Sequence, residues 1–364
     1  MRGWFKTIRD LEDAYYGPEA GGYLRKDEQI TTSITGVRNI IFGSKLWQQI
    51  VTTANTVGIL PKKPWEQSGY RAITVAGSTG SLGVAEGGAL PATTKPSFLE
   101  VSITPKDLAC SVDIATLQRN LEGKDDTVLF ADTLAYTADE FNNRLNRALN
   151  TNVTNLASTN MESIDRVISS YEEVTDCGDI TASDSDIYGI DRDAAASWAD
   201  AEVYENNNTD QDLQLTFIDT IFQNVRPYWR NYGGSENKVI TTGYDTLARI
   251  QQLMTSKQIF QGYEKVRGTV NGISSVEGTA TGFNAALYQN VPIVPDQNVV
   301  QDTVSRINLI DLDFCHIGVL QPIVQTESRD HIALNKLADE VLFHMEAELV
   351  ATRFKCHGKV RDLK

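Results

Sequence analysis

The segment between residues 66 and 105 places the strongest constraint on how this chain can fold. Ile73 and Val75 alternate with other residues before a glycine-rich middle, and Leu99 and Val101 alternate in the same way after it. Period-two patterning on both sides of such a middle predicts the two strands of a long β-hairpin with a flexible tip. A hairpin with so few large apolar residues cannot form a core alone. We therefore expect it to lie against a neighbouring surface.

Helical periodicity follows between residues 126 and 150. The apolar residues that share one helical stripe are Leu134, Ala138, Phe141, Leu145 and Ala148. Alternating steps of four and three residues place such side chains along one face of an α-helix. The sequence therefore predicts a long amphipathic helix here.

The second half of the chain mixes helix and strand patterns. A helical pattern that ends at Pro227 is followed by a buried-strand candidate at 238–243 and a shorter helix from Tyr244 to about Met254. This succession is typical of a compact α/β unit. Apolar and mainly polar residues then alternate over 340–352, which predicts a long antiparallel strand.

The pattern of residues 1–65 is typical of an extended arm and not of a separate domain. Short apolar patches, one of them around Trp47, are separated by turns, and Pro61 and Pro64 end the segment in an extended strip. The patch around Trp47 fits an amphipathic helix that packs onto another surface.

The acidic residues are concentrated in one place. The chain has 48 acidic and 33 basic residues, for a formal net charge of −15. Between residues 160 and 212 there are fifteen acidic residues and only two basic ones, Arg166 and Arg192. In the rest of the chain the numbers of acidic and basic residues are nearly equal. The sequence predicts that this segment forms a solvated acidic surface.

Aspartates within that segment raise the question of a metal site. The weak candidates for calcium ligands are Asp184, Asp186, Asp191 and Asp193. A helix–loop–helix calcium site needs further oxygen ligands at fixed positions, which this run lacks. We therefore expect no metal to be bound.

Several classes of function lack the residues they need. The four cysteines are far apart without a C-x-x-C pair, and the four histidines never share one helix face at i,i+4 spacing. The cysteines are expected to be isolated buried thiols. No nucleophile elbow, Walker loop, kinase motif or zinc-protease helix is present. The sequence therefore predicts neither a cofactor nor an enzymatic activity.

Membrane and nucleic-acid partners are also constrained. No run approaches the roughly 18 apolar residues of a membrane span, and the N-terminal residues lack the apolar core of a signal peptide. Overall acidity argues against tight binding of duplex DNA, which depends on many contacts from lysine and arginine to phosphates. The near balance of charge outside the acidic segment still leaves room for weak, non-specific contacts with DNA.

The order of these parts resembles the major capsid protein of tailed double-stranded-DNA viruses, which has the Hong Kong 97 type of capsid fold. The stretches that carry the resemblance are E-G-G-A-L-P at 86–91, the return strand at 96–105, the strand at 106–115 and N-V-P-I-V at 290–294. Together with the long helix and the strand at 340–352, the likeness covers most of the chain.

The resemblance implies an α+β fold with six parts. These are an N-terminal arm (1–65), an extended β-hairpin loop (66–105), a peripheral domain (106–160) with a spine helix over 126–150, an acidic segment that links peripheral and axial domains (161–212), an axial α/β domain (213–300), and strands that return to the peripheral domain (301–364).

The resemblance also implies a function. Copies of the chain would assemble into the hexamers and pentamers of an icosahedral shell that encloses viral double-stranded DNA, built in the host cytoplasm with a portal, a separate scaffold protein and possibly decoration proteins. The residues implied in contacts between subunits are Gly80, Glu86, Pro91, Lys95 and Trp47. Some relatives form covalent cross-links from a loop lysine, but no partner can be assigned to Lys95 in this sequence.

Two alternatives stay open at this point. An encapsulin-like compartment shell has the same fold and encloses a cargo enzyme in place of a genome. An Asp-rich metal-dependent enzyme belongs to a different class of function and has only the acidic segment in its favour.

Overall fold

The protein is described here by a computed structural model over part of its length. The described residues are 55–75, 86, 88, 95, 97–116, 129–192, 197–230, 234–256, 286–328 and 337–364. The predicted arm up to residue 54, and Trp47 with it, lies outside this part of the chain.

The described residues form both helices and strands, with consecutive strands before Leu129 and after Ser256. The α-helices are α1 (Asn55–Ile59), α2 (Leu129–Leu149), α3 (Ile164–Val167), α4 (Tyr171–Asp176), α5 (Ala182–Ser185), α6 (Leu215–Val225) and α7 (Tyr244–Ser256). The strands are β1 (Lys62–Pro64), β2 (Gly69–Val75), β3 (Ser97–Ser102), β4 (Lys106–Ala115), β5 (Glu202–Tyr204), β6 (Lys238–Thr242), β7 (Ala286–Tyr288), β8 (Val291–Pro295), β9 (Ile307–Asp311), β10 (Cys315–Ser328), β11 (Ala338–Ala351) and β12 (Gly358–Val360). Short 3₁₀ turns lie at Val153–Asn155, Ser197–Ala199 and Arg226–Tyr228.

The chain divides into two compact units. One comprises residues 1–50, 111–137 and 327–341. In its described part, Ile114 and Ala338 are buried, and the backbone N–H of Thr116 donates to the carbonyl of Leu337 at 3.2 Å.

The larger unit comprises residues 51–110, 138–326 and 342–364. It contains a six-stranded sheet in the order β5-β12-β9-β6-β8-β7. Strand β6 pairs with β8 in parallel and with β9 in antiparallel orientation, and every residue of β6 and β9 is buried. The strand predicted at 238–243 is therefore a central strand of this sheet.

Helices α6 and α7 supply the apolar faces that cover this sheet. Phe222 of α6 packs edge-on against Trp229, with ring centroids 5.6 Å apart, and lies 5.8 Å from the ring of Tyr288. Gly358 of β12 is required at its position, because a Cβ there would lie 2.3 Å from Cγ2 of Ile221. The helix consequently packs directly onto the backbone of β12.

A second sheet has the order β1-β10-β11-β4. Strand β1 pairs in parallel with β10, and Lys62 lies opposite Ile317. Strand β11 alternates between buried and half-buried residues up to Glu346, as the pattern at 340–352 predicts. The expected polar face ends early, since Glu348 is buried.

The long helix predicted over 126–150 is observed as α2, within the described residues. Phe141 and Leu145 of its apolar stripe are buried, and Leu149 at its end is completely buried.

The C-terminal range 301–364 is divided between the two sheets. Strands β10 and β11 lie in the four-stranded sheet, but β9 and β12 pair with each other in the six-stranded one. The assignment of this range to strands that return to the peripheral domain stays a prediction. Strands β9 and β12 are short and fully buried, and they contribute to the hydrophobic core of the sheet that holds β6.

Candidate functional site

The hairpin formed by β2 and β3 has a largely exposed second strand. The two strands pair only with each other, in antiparallel register, with Ile73 opposite Phe98 and Ala72 opposite Leu99. Phe98 is 58% exposed and Leu99 is 37% exposed. Because neighbouring residues of a strand point to opposite faces, this hairpin presents apolar side chains on both faces.

The root of the hairpin is tied down by backbone hydrogen bonds. The N–H of Ser102 donates to the carbonyl of Tyr188 at 3.1 Å, and the N–H of Ile103 donates to the carbonyl of Ser68 at 2.8 Å. Val101 and Ile103 are buried here, in contrast to Phe98 and Leu99. The strands thus emerge from the packed unit at this point.

Tyr188 connects the hairpin root to β11. It lies in a two-residue turn with Gly189, and both residues have positive φ angles, 53° and 75°. A two-residue turn with positive φ angles matches the right-handed twist of the segments that it joins. Here the turn joins two residues that form an isolated β-bridge. The Tyr188 hydroxyl donates to the carbonyl of Leu349 and accepts from the N–H of Ala351 at 3.2 Å. Burial raises the pKa of this hydroxyl well above its usual value.

A buried carboxyl group lies beside this connection. Glu348 accepts hydrogen bonds from the backbone N–H groups of Glu162 at 2.7 Å and Leu349 at 2.8 Å. Burial, together with the nearby charge of Glu162, raises the pKa of Glu348 to about 8. The group therefore keeps its proton at neutral pH.

The predicted subunit-contact residues are only partly within the described chain. Glu86 and Lys95 are both exposed. Gly80, Pro91 and Trp47 lie outside the described residues. The described part of the hairpin adds Phe98 and Leu99, whose exposure a sequence pattern alone does not reveal.

The calcium candidates form local structure instead of a cluster. Asp184 accepts hydrogen bonds from the N–H of Thr181 at 3.0 Å and from its hydroxyl at 2.6 Å, as the capping box of α5. Asp186 accepts from the N–H of Arg192 at 3.4 Å. Asp191 is exposed and Asp193 lies outside the described residues. No group of three or more metal-ligating side chains occurs in the part of the chain that the structure describes.

The acidic segment also contributes to a buried ion cluster. Asp165 lies 3.0 Å from Arg306 and 3.1 Å from Lys359, measured between charged atoms. Glu173 lies 2.7 Å from Lys359 and 2.8 Å from Arg361. All five side chains are at most 2% exposed.

The expectation of a wholly solvated acidic surface at 160–212 is therefore wrong for Asp165 and Glu173. Burial alone would raise the pKa of Asp165, but the charges of Lys359 and Arg306 outweigh it and hold this pKa below its usual range. Lys359 and Arg361 stand two residues apart in the β12 region, on one face of an extended chain. That spacing was the one sequence signal for the cluster.

The guanidinium of Arg192, also from this segment, is buried and hydrogen-bonds to no carboxylate of the described residues. It donates to the carbonyls of Ala199, Arg166, Ser185 and Val167 at 2.8–3.0 Å. Burial lowers its pKa to about 10. This side chain therefore joins three backbone segments.

Solved structures similar to this chain include two capsids and an encapsulin complex. The capsid of Cyanophage A-1(L) has a TM-score of 0.64 at 12% identity, over 88% of this chain and 96% of that one. The capsid of the native GTA particle has a TM-score of 0.57 at 12% identity, over 94% of this chain and 100% of that one. The holo-SrpI encapsulin complex from Synechococcus elongatus PCC 7942 has a TM-score of 0.51 at 12% identity, over 88% and 92%.

The chain has the Hong Kong 97-type capsid fold. No family model matches its sequence, and no curated protein does. The likeness is therefore one of three-dimensional structure.

The division into parts that the resemblance implies stays a prediction. It would assign the hairpin β2–β3 to the extended loop, α2 to the spine helix, and the sheet around β6 to the axial α/β domain. No described helix is long and apolar enough to cross a membrane.

Proposed function

We propose that this protein is a structural shell subunit, which assembles with copies of itself into the hexamers and pentamers of an icosahedral viral capsid around double-stranded DNA. The observation that carries the proposal is the hairpin β2–β3. It pairs with neither of the larger sheets, and it exposes apolar side chains on both faces.

A partner surface would stabilise this hairpin, because a two-stranded ribbon is only marginally stable in water. Complete burial of a side chain such as Phe98 or Leu99 contributes about 1.5–3 kcal/mol. Contacts between different patches of identical subunits close into rings when the rotation between them allows it. A hairpin that lies on the next subunit around a ring supplies such a contact.

The same chain carries exposed apolar side chains that could receive it. Leu320 is 51% exposed and Ile323 is 44% exposed, both on β10, where their spacing of three residues places them on opposite faces of the strand. An exposed apolar side chain on the hairpin and another on either face of β10 provide the two different surfaces of a head-to-tail contact between copies.

Assembly gives a direct test. Phe98→Ser together with Leu99→Ser removes the apolar side chains of the hairpin but leaves the buried residues of the subunit in place. We expect a folded chain whose assembly concentration rises at least about tenfold, because more than about 1.4 kcal/mol of contact energy is lost. Sedimentation velocity and negative-stain microscopy measure the loss of shells.

Tyr244→Ser is the matched control, since Tyr244 is 52% exposed but lies on α7, away from the hairpin strands. Its assembly should equal that of the unmodified chain. Shells that form normally from the hairpin variant would contradict the proposal.

An encapsulin-like compartment shell is the second candidate function, favoured by the likeness to the SrpI encapsulin complex. The contents of particles from the native source separate the two. Double-stranded DNA and a portal at one vertex support the capsid, and a packaged protein cargo supports the compartment.

A scaffold protein, a portal and decoration proteins are further proposed partners. Co-purification of these proteins with particles at different stages of assembly in the host cytoplasm tests each of them.

A further inference from the structure

Two loops at one side of the larger unit are held together by hydrogen bonds to backbone carbonyls. The indole N–H of Trp229 donates to the carbonyl of Cys356 at 3.1 Å, and the Arg353 guanidinium donates to the carbonyl of Tyr228 at 3.0 Å. These contacts fix the segment 226–230 beside the segment 353–356.

Four cations lie on these two loops, and we name them the basic loop patch: Arg226, Arg230, Arg353 and Lys355. The three arginines are exposed and Lys355 is half-buried. The Arg353 guanidinium lies 5.3 Å from the ring centre of Phe314, and Nζ of Lys355 lies 5.7 Å from that of Tyr228. Arg226 donates to Oε1 of Gln289 at 2.5 Å.

No member of the basic loop patch forms an ion pair with a carboxylate of the described residues. The nearby Asp313 is engaged by Lys238 at 3.6 Å and by Asn237 at 2.9 Å. Asp200 accepts from the N–H of Tyr171 at 3.2 Å and feels the charge of Lys355 only at longer range. The patch therefore keeps its positive charge in a chain of net charge −15.

We propose that the basic loop patch binds the phosphate backbone of double-stranded DNA without reading its sequence. This inference rests on the proposed function, for which it names the surface that meets the packaged genome. Arginine and lysine contacts to phosphates supply sequence-independent affinity. Arg226, Arg353 and Lys355 are positioned by amide, carbonyl and ring contacts, and none of the four cations is paired with a carboxylate of the described residues.

The composition of the patch favours DNA over a second copy of this chain. The core of a protein–protein interface is depleted in charge and enriched in exposed aromatic side chains. Here four cations cluster, and none of the strongly exposed large apolar side chains of the described residues belongs to these loops. The rings of Phe314 and Tyr228 contact the cations instead.

Salt-dependent binding tests the inference. Fluorescence anisotropy is measured with the full-length protein and a labelled DNA duplex of random sequence. The variant R226Q/R230Q/R353Q/K355Q removes up to four phosphate contacts, each worth a slope of about −0.9 in log affinity against log salt. We expect the slope to become shallower by about 3.6, and the affinity at 50 mM salt to fall at least about 100-fold.

A scattered variant with the same change in charge is the control. K62Q/K63Q/R147Q/R249Q removes four exposed cations from β1, α2 and α7. It should bind DNA with nearly the original slope. Equal losses of DNA affinity in the two variants would overturn the inference and would indicate that binding depends on net charge alone.

The pair R230Q/K355Q guards against misfolding, because it leaves the Arg353 contacts intact. It should show about half of the loss in slope with an unchanged thermal unfolding curve.

Shell assembly is recorded for every variant. Normal shells with unchanged DNA binding would overturn the inference alone, and loss of assembly with unchanged DNA binding would assign the patch to a second copy. DNA binding through the patch by a chain that never forms shells would overturn the proposed function but not the inference.

Discussion

Adjacent glutamates at positions 172 and 173 show how far one residue decides the role of an acid in this protein. Glu172 is exposed, whereas Glu173 is fully buried between Lys359 and Arg361. The sequence places both in the same acidic run, and its composition favours a solvated surface. Burial depends instead on which side of the short helix α4 faces the C-terminal strand.

Glu173→Gln removes the negative charge that compensates the buried cations Lys359 and Arg361. We expect it to lower the free energy of unfolding by about 3–5 kcal/mol, since breaking a buried ion pair strands its partner in a medium of low polarity. Chemical denaturation measures the change. Glu172→Gln is the matched control and should stay within about 0.5 kcal/mol. Similar losses from both variants would show that the cluster is not the cause.

Glu348 predicts a dependence of stability on pH. Its pKa of about 8 in the folded chain lies above the ordinary value of 4.5, so that the folded state holds this proton where the unfolded state does not. Stability should therefore decrease as pH rises through this window, by roughly 2 kcal/mol between pH 6.5 and pH 8.

Denaturant unfolding across that pH range measures the slope. Glu348→Gln cannot ionise and should remove most of this decrease, whereas Glu346→Gln, on a half-buried position of the same strand, should keep it. The same dependence of stability on pH in Glu348→Gln and in the unmodified chain would show that Glu348 is not its cause. Below this range a second group opposes the effect of Glu348, because burial lowers the pKa of His316 to about 4, and protonation of this histidine in the unfolded chain then favours unfolding.

At the scale of elements, local periodicity in the sequence was sufficient to predict a helix or strand that buries one face against a single core. The stripe on α2, the alternation in β11 and the two flanks of the hairpin are each visible within a short window of sequence. The bracing of the hairpin root was not predictable, because Tyr188 and Leu349 are 161 residues apart. The exposure of Phe98 and Leu99 also depends on what the rest of the chain leaves uncovered.

Deletion of residues 77–88 tests whether the hairpin serves assembly more than folding. Joining the flanks through a short Gly-Ser linker should leave the cooperative unfolding of the subunit almost unchanged, since the large cores lie in the two sheets. Stable shells should be lost, as seen by negative-stain microscopy. A chain that unfolds outright would show that this segment belongs to the core.

At the scale of the whole molecule, net charge describes the protein poorly. Part of the acidic excess is internal, where Asp165 meets Arg306 across 141 residues and Glu173 meets Lys359 across 186 residues. The order of parts along the sequence was enough to identify the fold. Pairings over such distances were not accessible, because no local pattern specifies which buried acid meets which buried base.

The hairpin attached through its root has a geometric consequence for a closed container. Identical chains cannot enclose a volume by hexamers alone, and curvature demands that some of them meet at fivefold corners with different angles. A ribbon of two strands, held by hydrogen bonds at Ser102 and Ile103, bends and twists more easily than a packed sheet. One amino-acid sequence can then fill positions of unequal curvature while its buried cores keep the same packing.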